Sequence, residues 1–206
     1  MFKSFPIPRN LTLPDDDYIP PELIGVTHMT PDQFEEVCQK YRKLRLELTS
    51  TGELIIMPPT GMLTGVRNAN LTYQLVAWTK KDATGVCFDS NTAYILSNNA
   101  IRSPDASWMN REKWDSLSPE QKERFARICP DFVAELRSRT DRLPVLLSKM
   151  EEYIDNGVSL AWLIDPSTRR VYVYRPNEET VVLENPETVS GEPLLPGFTL
   201  NVTELW

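Results

Sequence analysis

One acid does most to restrict what this chain can become. In Phe132-Val133-Ala134-Glu135-Leu136 a carboxylate interrupts a run that otherwise reads as a buried strand. Burying a charge unpaired in such a strand is costly, so Glu135 needs a partner, a proton or a metal. A second acid, Asp105, lies in Arg102-Ser103-Pro104-Asp105-Ala106-Ser107-Trp108, after a turn at Asn98-Asn99. If the two segments are neighbouring strands, both carboxylates converge on one point. A hard cation such as Mg²⁺, which takes a few carboxylates and keeps waters, suits that point.

The elements around these acids alternate in type. Thr30-Pro31-Asp32-Gln33 has the form of a capping box with proline at the first helical position. Phe34, Val37, Tyr41, Leu44 and Leu48 then recur at helical spacing, so one amphipathic helix is expected to run through Leu48. Glu53 to Met57 reads as a strand stopped by Pro58-Pro59, and Met62 to Trp78 as a second helix with its exit marked by Gly85. Apolar runs over 86–96, 101–109 and 131–136 read as strands, with a charged helical stretch over 111–128. Leu143, Leu147, Met150 and Ile154 outline a further helix ending at Asn156-Gly157. Short strands follow at 160–164, 171–174 and 180–183. This order predicts an α/β domain with one mixed sheet over residues 30–206. The proline-rich residues 1–29 are expected to form an extended arm.

Composition narrows the function. The 206 residues suffice for one core without a disulfide or structural metal. Three dispersed cysteines (Cys38, Cys87, Cys129) and one histidine (His28) make neither a disulfide framework nor a zinc site. No apolar run reaches signal-peptide or membrane-spanning length, so a reduced, cytoplasmic protein without membrane contact is expected. The net charge of −7 excludes a polybasic nucleic-acid coat. That charge is uneven: residues 101–150 hold ten Lys/Arg against eight Asp/Glu, around both singled-out acids.

The ordered motifs carry a resemblance. Pro104-Asp105 followed by Glu135-Leu136-Arg137 is similar to the core of the PD-(D/E)XK nuclease superfamily. The series Gly52-Glu53-Leu54 through Pro58-Pro59, Arg67-Asn68, Pro130-Asp131-Phe132, Lys149 through Tyr153, Asn156-Gly157, Trp162-Leu163-Ile164-Asp165-Pro166 and Leu195-Pro196-Gly197-Phe198 resembles the Uma-type restriction-endonuclease-like family. The resemblance implies a restriction-endonuclease-like core, a mixed β-sheet flanked by helices, with a C-terminal β extension. It also implies a metal-dependent endonuclease that hydrolyses phosphodiester bonds of nucleic acid, DNA first, with Mg²⁺ or Mn²⁺ held by Asp105 and Glu135. A homodimer would fit an enzyme that cuts both strands.

Two departures from the family pattern bear on the site. Arg137 stands at the lysine position of the Glu-x-Lys motif. Arginine can contact a phosphate but stays protonated at neutral pH, so Lys149 on the following helix is expected to supply the catalytic lysine. The second helix opens with Gly61-Met62-Leu63-Thr64-Gly65 and lacks the family's acid or histidine; Glu53 is the additional acid expected from the preceding strand. The competing expectation is a catalytically inactive nuclease-fold binding or interaction module that keeps the acids for stability alone.

Overall fold

The computed structural model describes residues 21–206. Of the arm expected over residues 1–29, residues 1–20 lie outside the described part. Residues 21–29 begin with a 3-10 turn over Pro21–Leu23, and Leu23 is buried. The segment is fastened to the loop ahead by Met29 N–H to the Gly52 carbonyl and by Leu54 N–H to the Val26 carbonyl.

Two sheets form the body. The larger has six strands: β3 (Gly85–Asp89), β6 (Ala106–Asn110), β7 (Phe132–Leu136), β8 (Leu160–Asp165), β9 (Arg170–Tyr174) and β10 (Val181–Glu184). They lie in the order β10-β9-β8-β7-β6-β3, with β7 and β8 parallel and every other pair antiparallel. The smaller sheet has the order β2-β1-β5-β4, from β1 (Arg45–Leu48), β2 (Leu54–Met57), β4 (Tyr94–Ile95) and β5 (Ile101–Arg102). A hairpin of β11 (Thr188–Ser190) and β12 (Thr199–Asn201) forms the C-terminal extension.

The large sheet is covered on both faces. In β7 and β8, Phe132, Ala134, Leu136, Leu160, Trp162 and Ile164 point to one side. That side meets Leu71 and Leu75 of α2 (Met62–Asp82) and the C-terminal hairpin. Val133, Ala161 and Leu163 point to the other side, against Met150 and Tyr153 of α5 (Leu143–Asp155). Strands covered on both faces must be almost wholly apolar, and β7 and β8 are. By this alternation Glu135, one step from Ala134, faces α5.

Several boundaries differ from expectation: the apolar run over 86–96 divides into β3 of the large sheet and β4 of the small one, so two sheets stand where one was expected. The first helix, α1 (Pro31–Lys40), begins with the expected Thr30 capping box but stops at Tyr41, and Arg45–Leu48 is a strand. Leu44 and Leu48 fit helical spacing, yet Leu44, Leu46 and Leu48 also alternate at period two, and pairing with β2 and β5 decides for the strand. The charged stretch over 111–128 holds two short helices, α3 (Arg111–Asp115) and α4 (Pro119–Lys122), each capped by its own side chain at Asn110 and Ser118. The apolar run over 101–109 is two strands in two different sheets, broken at Ser103-Pro104, where proline has no N–H to give a ladder.

Trp162 is fully buried, stacks on Phe198 with ring centroids 5.9 Å apart, and meets Phe132 edge-on at 4.9 Å. Trp162→Ala should therefore cost about 3–5 kcal/mol in urea unfolding. A loss under about 1 kcal/mol would show that this face of the sheet can collapse onto the gap.

Candidate active site

The break at Ser103-Pro104 places Asp105 where the two sheets meet. In the large sheet Ala106 pairs with Ala134, so one step outward the antiparallel register sets Asp105 opposite Glu135. Opposed residues of this kind share a face with Cβ atoms about 5 Å apart. In the small sheet Leu48 pairs with Ile101, and one step outward Glu47 faces Arg102. Two cross-strand pairs, one per sheet, thus converge from either side of a three-residue break. Sheet pairing alone brings three carboxylates and a guanidinium together.

Helix α5 closes the cluster. Lys149 Nζ lies 2.8 Å from Glu135 Oε1 and 2.9 Å from Glu47 Oε1. Tyr153, one turn on, donates its hydroxyl to Glu135 Oε1 at 2.9 Å. Glu152 receives Arg102 Nε at 2.6 Å, and Arg102 Nη1 reaches Glu47 Oε2 at 3.2 Å. The Ser103 backbone N–H donates to Glu47 Oε1 at 2.9 Å. Asp105 accepts from the Leu136 N–H at 2.8 Å and from Asn68 Nδ2 of α2 at 3.2 Å. Residues 149, 152 and 153 share one helix face because they lie three and four apart.

Burial and charge oppose each other here. For Glu135, burial dominates and raises the carboxyl to about 7, although Lys149 pulls it down; the Asp105 and Glu47 charges push it up. Asp105 is also raised, chiefly by burial, with its hydrogen bond from Leu136 and the positive charges of Lys149 and Arg45 opposing. At Glu47 burial is outweighed by Lys149 and Arg102, and its carboxyl lies below the usual range. Burial opposes the charge of Lys149 as well, yet Glu135 and Glu47 hold its ammonium protonated above the ordinary lysine value. The cluster therefore contains one firmly ionised acid, one firmly charged lysine, and one acid poised to take up a proton near neutrality.

The structure brings Asp105, Glu135 and Lys149 together. Arg137 and Glu53 go elsewhere. Arg137 Nη1 pairs with the fully buried Asp165 at 2.7 Å, and its Nε and Nη2 reach the Asp141 carbonyl at 3.3 Å. Glu53 is exposed at the β1–β2 turn, with its backbone bonded to Thr49. The acid that does reach the cluster from these strands is Glu47, on the partner strand. Its signal was present: Leu46-Glu47-Leu48 has the same apolar flanks as the Glu135 strand. The helical spacing through Leu44 and Leu48 concealed it. Arg102, Glu152 and Tyr153 lie in stretches that carry the family resemblance, but their partners are set by the register and by α5.

The chain belongs to the Uma2 family, whose model, described as "Putative restriction endonuclease", matches residues 31–203. Among solved structures it is similar to one described as a "putative nuclease belonging to DUF820 from Anabaena variabilis ATCC 29413". That likeness has a TM-score of 0.66 at 21% identity and covers 78% of this chain and 88% of the other. No curated protein matches the chain. Family membership makes the fold that of a nuclease and the cluster its candidate centre. Among the described residues no helix is long and apolar enough to cross a membrane.

Lys149→Met tests the electrostatic account. Without the ammonium, Glu135 must either stay charged in an apolar setting or bind a proton. At pH 8 the substitution should cost about 3–5 kcal/mol of unfolding free energy, as removing one partner of a buried pair does. Because the Glu135 carboxyl is raised, it is protonated and neutral at pH 5, so the loss there should be clearly smaller. Equal losses in urea unfolding at the two pH values would contradict the assignment.

Proposed function

We propose that this chain is a Mg²⁺- or Mn²⁺-dependent endonuclease that hydrolyses phosphodiester bonds of nucleic acid, with DNA as the first substrate to test. The observation that carries this reading is the gathering of buried Glu47 and Glu135 with half-buried Asp105 around Lys149 and Arg102 at a junction of two sheets. Simple structural ion pairs need one acid per base, whereas here four acids, Glu47, Asp105, Glu135 and Glu152, gather around two bases, Lys149 and Arg102.

The donor chemistry fits a hard cation. All the candidate donors are oxygens, and Asn68 Oδ1, beside Asp105, is buried without a hydrogen-bond partner among the described residues. No three acid, histidine or cysteine side chains among the described residues form a ready-made cage. Mg²⁺ does not require one, since it is held by one or two carboxylates together with waters and substrate phosphate. Asp105 and Glu135 would hold it, with Glu47 adding charge from the second sheet. When bound, such a cation neutralises charge on the phosphate under attack.

The chain's own residues divide the remaining work. Lys149, kept protonated by its two acids, orients a water or the phosphate as a donor; a protonated ammonium cannot act as the base. Glu135, raised to about 7 by burial, gives up its proton when it takes the cation. Tyr153 fixes Glu135, and Arg102 with the Ser103 N–H fixes Glu47. Arg137 faces Asp165, so phosphate contact falls to other cations.

Calorimetry with Mn²⁺ separates this reading from an inactive binding module. The native chain should bind Mn²⁺, and Asp105→Asn should abolish that binding together with Mn²⁺-dependent cleavage of plasmid DNA. Binding should also weaken as pH falls through about 7, because Glu135 must release its proton to act as a ligand. A native chain that neither binds Mn²⁺ nor cleaves would refute the reading, and binding without cleavage would favour the inactive module.

A further inference from the structure

A second feature of the molecule has the opposite charge. Residues 37–46 contain Lys40, Arg42, Lys43 and Arg45 and no acid, in a chain with a net charge of −7. The run spans the end of α1, the connection that follows, and the first residue of β1. Arg42, Lys43 and Arg45 line one side of a cleft of about 420 Å³ that also reaches Ser103 and is floored by apolar side chains such as Phe34, Leu46 and Phe125, on which bases can pack.

The position of this cleft gives it meaning. Along β1, Leu46 and Leu48 face the small sheet's core, so Arg45 and Glu47 share the opposite face. Ser103, in the wall of the cleft, donates its N–H to Glu47, which places the inner end of the cleft one hydrogen bond from the acid cluster. The charge of Arg45 is felt at Asp105. Arg45 is braced by the Ser90 carbonyl at 2.9 Å and Arg42 by the Gln39 carbonyl at 3.3 Å, so both guanidinium groups are held in place. Arg42 and Lys43 are exposed at the outer end.

We propose that this cleft is the track along which a single nucleic-acid strand enters the site. Its backbone phosphates lie on Arg42, Lys43 and Arg45, and the next phosphate reaches the acid cluster. The occupant follows from charge and size. A row of fixed cations ending at carboxylates suits a polyanion whose last phosphate is shielded by a divalent cation. A volume of about 420 Å³ falls within the range of sites that hold a small ligand, of the order of a nucleotide or two. The inference rests on the nuclease reading and deepens it, because it says where the substrate lies and replaces Arg137 as the phosphate contact.

The test uses the full chain carrying Asp105→Asn, which prevents cleavage and removes one repelling charge. Binding of a fluorescein-labelled single-stranded DNA of about 20 nucleotides is followed by anisotropy over a range of salt. Adding Arg42→Glu and Lys43→Glu should weaken binding at least about tenfold and lower the slope of log affinity against log salt by about 1.5, as loss of two phosphate contacts requires. In the otherwise native chain the same pair should leave Mn²⁺ affinity unchanged. An unaltered affinity and slope would overturn the track and leave the nuclease reading standing. A loss of Mn²⁺ binding would also overturn it, by showing that these residues act through the acid cluster. Failure of both the native chain and the Asp105→Asn chain to bind the oligonucleotide would remove the nuclease reading and the track together.

Discussion

The ammonium of Lys149 is the interaction on which the rest depends. It touches Glu135 of the large sheet and Glu47 of the small one, and it arrives on the helix that links β7 to β8. One charge therefore ties together two sheets and their covering helix at the place where the chain can least tolerate unpaired acids. The break at Ser103-Pro104 creates this place. A continuous strand over 101–110 would keep both cross-strand pairs in one sheet, and Glu47 could not approach Glu135.

Around that contact the molecule separates rigidity from reactivity. The face of the large sheet away from α5 is filled by Trp162, Phe132 and Phe198. The face toward α5 carries the cluster, and each of its carboxylates is fixed by at least one hydrogen bond. Such support holds reacting groups within the tolerance that catalysis requires. Glu135, poised near neutrality, shares Lys149 with Glu47; both are buried, and Arg102 with the Ser103 N–H supplies the further partners that lower Glu47.

Much of this was legible before any coordinates. Glu135 betrayed itself as an acid in a fully apolar strand, Asp105 as the residue after a proline break, and Lys149 as the lysine off the apolar stripe of α5. Family resemblance joined them. Glu47 was hidden because the leucines around it satisfy helical and strand spacing at once, and only pairing with β2 and β5 resolves which applies. Arg137 misled because a residue's place in a motif says nothing of the buried Asp165 that register brings beside it. Tertiary pairing, which local pattern does not encode, accounts for both.

The most direct measurement is an NMR titration of the side-chain carboxyl carbons, assigned through Glu135→Gln and Glu47→Gln. The account predicts that Glu135 titrates near 7, that Glu47 titrates below the ordinary glutamate range, and that added Mg²⁺ drives the Glu135 transition downward. A Glu135 carboxyl that titrates like an exposed glutamate and ignores Mg²⁺ would contradict it.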